Sequence, residues 1–161
     1  MSGILLAGFD GVNNPARIVV EKSRAACSKL IIPNDKDKSV EILLNEIWEK
    51  EAACVVIVGR KPCIKDKIAV EPFAKGEGGV LRTPLDVTSV VNLIKKQGYN
   101  AYISKGCGNS YCNHIYYNCI ASGVNCIFLH IPVFSCISDT DALSAAVDGF
   151  INGLGGVPAL L

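Results

Sequence analysis

Residues Gly98 to His114 read Gly-Tyr-Asn-Ala-Tyr-Ile-Ser-Lys-Gly-Cys-Gly-Asn-Ser-Tyr-Cys-Asn-His, and residues Asn125 to Pro132 read Asn-Cys-Ile-Phe-Leu-His-Ile-Pro. A helix-like run joins them, so the order is strand, glycine turn, helix, strand. Cys112 falls where the turn becomes the helix, and His130 falls at the end of the second strand. In a parallel α/β sheet the carboxyl ends of strands and the first turns of helices open on the same edge. A thiol and an imidazole brought together at that edge make a cysteine nucleophile with its base.

Working outward, the same alternation runs through the chain. Ile4 to Phe9 is a continuous apolar run, the pattern of a parallel strand covered on both faces. Asn14 caps a first helix and Pro15 occupies its first turn, with Ile18, Val19, Ala25 and Ala26 as its apolar side. Leu30 to Ile32 is a short strand. Ser39 to Lys50 is the clearest amphipathic helix, with Val40, Leu43, Leu44, Ile47 and Trp48 at helical spacing on the inward face. Cys54 to Val58 is a buried strand, Ile68 to Val70 a short edge strand, and Gly76 to Gly79 a flexible loop. A helix from Asp86 carries Val87, Val90, Val91 and Ile94 and stops at Gly98. After the strand Ala101–Ser104, the helix Ser110–Ala121 and the strand Cys126–Ile131, Asp139 or Asp141 caps a last helix through Ile151. From about Gly153 the tail is loose. The expected architecture is one domain over residues 1–161, a three-layer α/β/α sandwich around a mostly parallel or mixed sheet.

Composition narrows the function. The chain has 161 residues, half of them apolar, and a formal net charge of +1. The clustered basic residues of a nucleic-acid footprint are missing; Lys95 and Lys96 read as a solvated helix face. The opening residues lack a basic start and a long apolar core, and no segment reaches membrane-spanning length, so the expected setting is cytoplasmic, away from membranes. Eight cysteines are then expected to stay reduced. Their spacing makes no zinc pattern, and Cys119 and Cys126 read as small buried apolar residues. No cofactor and no metal are expected. Neither a dinucleotide fingerprint nor a Walker spacing surrounds Gly106 and Gly108, so nucleotide binding is a weak reading.

At Cys112 and His130 the sequence resembles the pyroglutamyl peptidase I (pyrrolidone-carboxylate peptidase) family. Ser104, Gly108, Cys112 and Asn113 fit its Ser-x-x-x-Gly-x-x-x-Cys-Asn segment, and Phe128-Leu129-His130-Ile131-Pro132 fits the strand that carries its histidine. Gly8, Phe9, Asn14 and Pro15 match its first loop and helix start, and Pro33 and the Ser39–Gly59 unit align as well. The resemblance covers most of the chain, with gaps. It implies a metal-free cysteine exopeptidase that hydrolyses the amide bond after an amino-terminal pyroglutamyl residue, acting on pyroglutamylated peptides. It also implies a homodimer or homotetramer.

Residue by residue, the resemblance makes Cys112 the nucleophile, His130 the general base and acid, and Asp66 the orienting acid, because Asp66-Lys67-Ile68-Ala69-Val70 best matches the family's glutamate segment. Asp66 then stands where the family has glutamate, and Glu71 is a second acid nearby, where the family has asparagine. Phe9, Asn14, Arg60, Gly108 and Lys75 fall to substrate binding: Phe9 as a remaining wall, Lys75 near the place of an oxyanion arginine. The chain departs from the family at the first loop, where Gly11-Val12-Asn13 lacks the ring-stacking phenylalanine, at Arg60-Lys61-Pro62-Cys63, and in the short Phe73–Val80 segment. Those departures keep two other readings open: a related thiol hydrolase with altered substrate choice, and a non-catalytic interaction or oligomer-forming module.

Overall fold

The computed structural model describes residues 3–108 and 110–157; the end of the expected tail, residues 158–161, lies outside them. The strands are β1 (Gly3–Phe9), β2 (Ser28–Ile32), β3 (Ala52–Lys61), β4 (Lys67–Glu71), β5 (Phe73–Gly76), β6 (Gly79–Arg82), β7 (Asn100–Ile103) and β8 (Asn125–Pro132). The helices are α1 (Pro15–Lys22), α2 (Lys36–Glu49), α3 (Val87–Lys96), α4 (Tyr111–Ala121) and α5 (Thr140–Gly153). Six strands form one mixed sheet in the order β2-β1-β3-β8-β4-β7, and β5 pairs with β6 in a separate antiparallel hairpin. The expected three-layer α/β/α sandwich is the observed one.

Strand alternation divides the core into two halves. Leu6, Val56, Val58, Ile127 and Leu129 point toward α1, α3 and α5. Leu5, Ala7, Val55, Ile57 and Phe128 point toward α2 and α4. Side chains two apart on a strand share a face, so His130 joins Phe128 on the α2/α4 side.

The helix starts follow their caps. Asn14, Asp35, Asp86, Ser110 and Asp139 each accept a hydrogen bond from a first-turn amide, satisfying donors that otherwise lack a partner. Asp35 therefore starts α2 three residues before the expected Ser39. Of the two candidates for α5, Asp139 is the cap.

Three expectations need correction. Trp48 is 84% exposed; Leu43 is the buried anchor of α2, and the indole lies beyond the edge of its stripe. Residues 76–79 are the tight turn of the β5–β6 hairpin, not a free loop. Most consequentially, β4 is no edge strand: it lies between β8 and β7, antiparallel to β8 and parallel to β7. The link from β3 to β4, residues 62–66, is far too short for a parallel crossover helix, so the chain must reverse. Cys63 and Asp66 take positive φ angles of 68° and 48° in that reversal.

Candidate active site

The site is assembled from three directions. β8 supplies His130, whose ring is 3% exposed and sits 4.6 Å from the Phe128 ring, centroid to centroid. β4 supplies Glu71, fully buried at the strand's last position. The register pairs Ala69 with His130, so Glu71, two residues on, extends from the same face as Ala69. His130 Nδ1 and Glu71 Oε1 are 2.7 Å apart. That contact holds the ring through Nδ1, the geometry in which a carboxylate orients a general base.

α4 supplies Cys112. Ser110 caps this helix through the Cys112 amide, which places the sulfur in its first turn. Three ties to the hairpin and β4 fix the helix. The buried Tyr116 hydroxyl donates to the Glu71 carbonyl at 2.8 Å. The Asn113 side chain exchanges two bonds with the Lys75 backbone, at 2.9 and 2.8 Å. The Tyr117 hydroxyl accepts from the Gly78 amide at 2.9 Å. On the sheet side, Gly59 pairs across the ladder with His130. A Cβ added to Gly59 would come within 3.0 Å of Cys112 Sγ and 2.8 Å of the Phe128 ring. Cys112 thus rests on the sheet face that carries His130, one strand over, and needs a glycine beneath it.

A second thiol lies on the acid side. Cys107, 9% exposed, belongs to the loop between β7 and α4, and its sulfur lies with a His130 nitrogen and a Glu71 oxygen in a cluster whose atoms are within 4.8 Å of one another. The Glu71 Oε2 atom is buried and makes no hydrogen bond. Such a set has donor types suited to a soft cation. Lys61 argues against one: its Nζ lies 3.4 Å from Glu71 Oε1 and donates to Ser104 Oγ at 3.1 Å. Ser104 Oγ also accepts from the Gly106 amide at 3.1 Å, which shapes the glycine turn where Gly106 and Gly108 have φ of 143° and 76°.

Electrostatics separate the two thiols. Burial pushes Cys107 far up, and the neighbouring Glu71 charge pushes it further. Burial is also the largest influence on Cys112 and raises it to about 11, with Glu71 adding to the rise; the Ser110 hydroxyl, the backbone amide of Cys112 and the Arg60 charge pull the other way. For Glu71, burial favours the neutral acid, but the hydrogen bond and charge of His130, with help from Ser104 and Lys61, hold its carboxyl below the usual value.

The expected orienting acid is overturned. Asp66 lies at the opposite end of β4, in the reversal, where it accepts from the Ser138 amide at 2.7 Å and the Ser138 hydroxyl at 2.5 Å. Those bonds hold its carboxyl below the ordinary value and pin the loop that follows β8. Glu71 does the work assigned to Asp66. A signal for it was present: a carboxylate closing the buried run Ile68–Val70 requires a partner.

The expected substrate contacts fall in different places. Phe9 is 4% exposed and packs 6.4 Å from the Phe128 ring, under the site. Asn14 is 5% exposed and its Oδ1 accepts from the Ala16 amide at 3.0 Å, so it is occupied as a helix cap. Arg60 is exposed and donates to the Asn13 carbonyl at 3.3 Å. Lys75 and Gly108 line a cleft of about 320 Å³ together with Phe73, Lys105, Gly106, Cys107 and Asn113. All eight cysteines are free thiols, and no described helix is long and apolar enough to cross a membrane.

A thiol at a helix start, a strand imidazole and a buried carboxylate, on one face of an α/β/α sheet, are the arrangement of a thiol hydrolase. The architecture has named counterparts. Pyroglutamyl peptidase I from Bacillus amyloliquefaciens superposes with a TM-score of 0.84 at 20% identity, over 94% of this chain and 96% of that one. Pyrrolidone carboxyl peptidase from Fervidobacterium islandicum gives 0.85 at 18% identity, over 98% and 100%, and that from Thermococcus litoralis 0.78 at 16%, over 97% and 96%. The chain has the pyroglutamyl peptidase I fold. No family model matches the sequence, and no curated protein matches it significantly.

Proposed function

We propose that the chain is a divergent member of the pyroglutamyl peptidase I family, a cysteine peptidase that releases pyroglutamate from peptide amino termini. The observation that carries this reading is Cys112 seated over Gly59, the ladder partner of His130, with Glu71 held against Nδ1 of that imidazole. Cys112 Sγ attacks the carbonyl carbon of the amide that follows the lactam ring. His130 takes the thiol proton through Nε2 and passes it to the leaving amine, while Glu71 holds Nδ1 and balances the imidazolium that forms between those events. The Gly106–Gly108 turn presents backbone to the developing oxyanion. Attack of water, again through His130, frees pyroglutamate and restores the thiol.

Cys107 is the wrong sulfur for this role. It is more deeply buried than Cys112 and stands against a carboxylate that opposes its ionisation.

A specific observation favours the second reading, altered acyl choice. The cleft beside Cys107 has Phe73 as an aromatic wall, with Lys75 Nζ 5.9 Å from that ring's centroid, and Lys105 also lining it. Such cations suit an acyl group bearing a negative charge better than a neutral lactam. Release of a fluorescent amine from pyroglutamyl, prolyl, glutamyl and aspartyl amides decides between them. Release from the pyroglutamyl amide alone, abolished by thiol alkylation, is the expected result. Release from the acidic amides instead would transfer the assignment to a related thiol hydrolase, and release from none would reject both.

The setting proposed with this activity is cytoplasmic, and the assembly is homo-oligomeric, as the family resemblance implies. Size-exclusion chromatography with light scattering checks the second, and a monomer at all concentrations would overturn it.

A further inference from the structure

Lys61 takes no part in the chemistry above, yet its ammonium enters the site. Its side chain is 29% exposed, and its Nζ lies 3.4 Å from the same Glu71 oxygen that contacts His130 Nδ1 at 2.7 Å. Ammonium and imidazole therefore stand within about 6 Å of each other on one buried carboxylate. Lys61 also donates to Ser104 Oγ, which accepts from the Gly106 amide, so it links the acid to the turn before α4.

We propose that Lys61 is a positioning residue that neutralises Glu71 and thereby keeps the resting site as thiol and neutral imidazole rather than as a thiolate–imidazolium pair. With Lys61 charged, the Lys61–Glu71–His130 group is neutral overall when the imidazole is neutral. A proton added to His130 then faces a second cation across a shared, desolvated oxygen, where charges interact far more strongly than in water. Without Lys61, the lone Glu71 charge would favour the imidazolium. It would also oppose the thiolate, but less, because Glu71 touches His130 directly. Among the described residues, few other charged and titratable groups lie near this pair. Arg60 on β3 acts on Cys112, Cys107 from the loop stays a thiol, and Cys112 itself comes from α4. The consequence is mechanistic: the proton moves from Cys112 Sγ to His130 Nε2 only as the carbon–sulfur bond forms, so the thiol is protected from non-specific alkylation and oxidation at rest.

This inference rests on the assignment of Cys112 and His130 as reacting pair, but not on the substrate. Its test therefore uses no peptide. The full-length protein is treated with iodoacetamide between pH 5 and 9, and Cys112 modification is followed peptide by peptide by mass spectrometry. In the wild type, Cys112 should react slowly at pH 6 and accelerate as the pH rises. Lys61→Met, and Lys61→Gln, which retains a donor for Ser104, should each react about tenfold faster at pH 6; Lys61→Arg, which keeps the charge, should match the wild type. A wild-type rate already at its plateau at pH 5 would overturn the proposal without any variant. So would neutral variants that fold and alkylate no faster than the wild type.

Discussion

Cys107 and Cys112 are five residues apart, one beside the His130 imidazole and the other over the strand next to it, and they differ in nearly everything that decides reactivity. Cys107 belongs to a glycine turn, is almost fully buried and stands on the carboxylate side of His130. Cys112 starts a capped helix, is partly exposed and stands over Gly59. Proximity to a histidine therefore does not define a nucleophile. What matters is which imidazole nitrogen the thiol faces and whether the nearest charge helps or opposes the thiolate. Glu71 occupies Nδ1, and its charge opposes a thiolate at Cys107. Cys112 has the helix start and, in the proposed mechanism, the other imidazole nitrogen as its base.

The sharpest way to break this comparison is to remove each sulfur separately. Cys112→Ala should cost about 10⁴-fold or more in kcat/KM for the pyroglutamyl amide, since the remaining groups have nothing to form a covalent intermediate with. Cys107→Ala retaining less activity than Cys112→Ala would reverse the assignment.

Glu71→Gln comes next. An amide can still contact Nδ1 but cannot balance imidazolium, and a loss of about 10²–10⁴-fold in kcat is expected. The same variant reports on stability. The folded-state carboxyl is held below its ordinary value of 4.5, so its contribution is fully present above that value and is lost as pH falls through the lower folded value. Thermal melts of the wild type should therefore weaken below about pH 4.5, and Glu71→Gln should flatten that slope.

Gly59→Ala probes the seat of the nucleophile. The new methyl would meet Phe128 and Cys112 Sγ at 2.8 and 3.0 Å, so one of them must move. Displacement of a reacting atom by a fraction of an ångström or more should lower kcat by about tenfold to a hundredfold, read in the same amide assay. An unchanged kcat would mean that Cys112 does not need this floor.

Cys107→Ala should leave kcat within about tenfold of the wild type and destabilise the fold by about 1–2 kcal/mol through lost packing, measured by denaturant titration. The smallest effect is expected of Asp66→Asn. Its carboxylate serves Ser138 in an exposed reversal, so kcat should stay within about twofold, with only a slight fall in Tm.

The contrast between Asp66 and Glu71 shows where sequence reading succeeds and stops. Acid followed by an Ile-Ala pair is a local pattern, and Asp66-Lys67-Ile68-Ala69 satisfies it. Orientation of an imidazole is a cross-strand relation, and it depends on β4 running antiparallel to β8 in the register that pairs Ala69 with His130. Without that register, either end of the strand is eligible. The short link of residues 62–66 implied a reversal, but not that it would pass the end of β8 and set β4 in the interior, between β8 and β7. Trp48 was misplaced for a related reason: helical periodicity gives the inward stripe, while the edge of that stripe is set by the neighbouring layer.

By itself, the sequence determined the alternation of strands and helices, the α/β/α layering, the cap at Asn14, and the placement of Cys112 at a helix start and His130 near the end of a buried strand. Each of these is written in local spacing, in hydrophobic period, or in turn chemistry. The tertiary structure alone decided which acid holds the imidazole, that the Cys107 thiol joins that acid and imidazole, and that Lys61 shares the acid's oxygen. Those outcomes turn on contacts between strands and loops distant in the chain, where burial and charge act through space and no sequence interval encodes them.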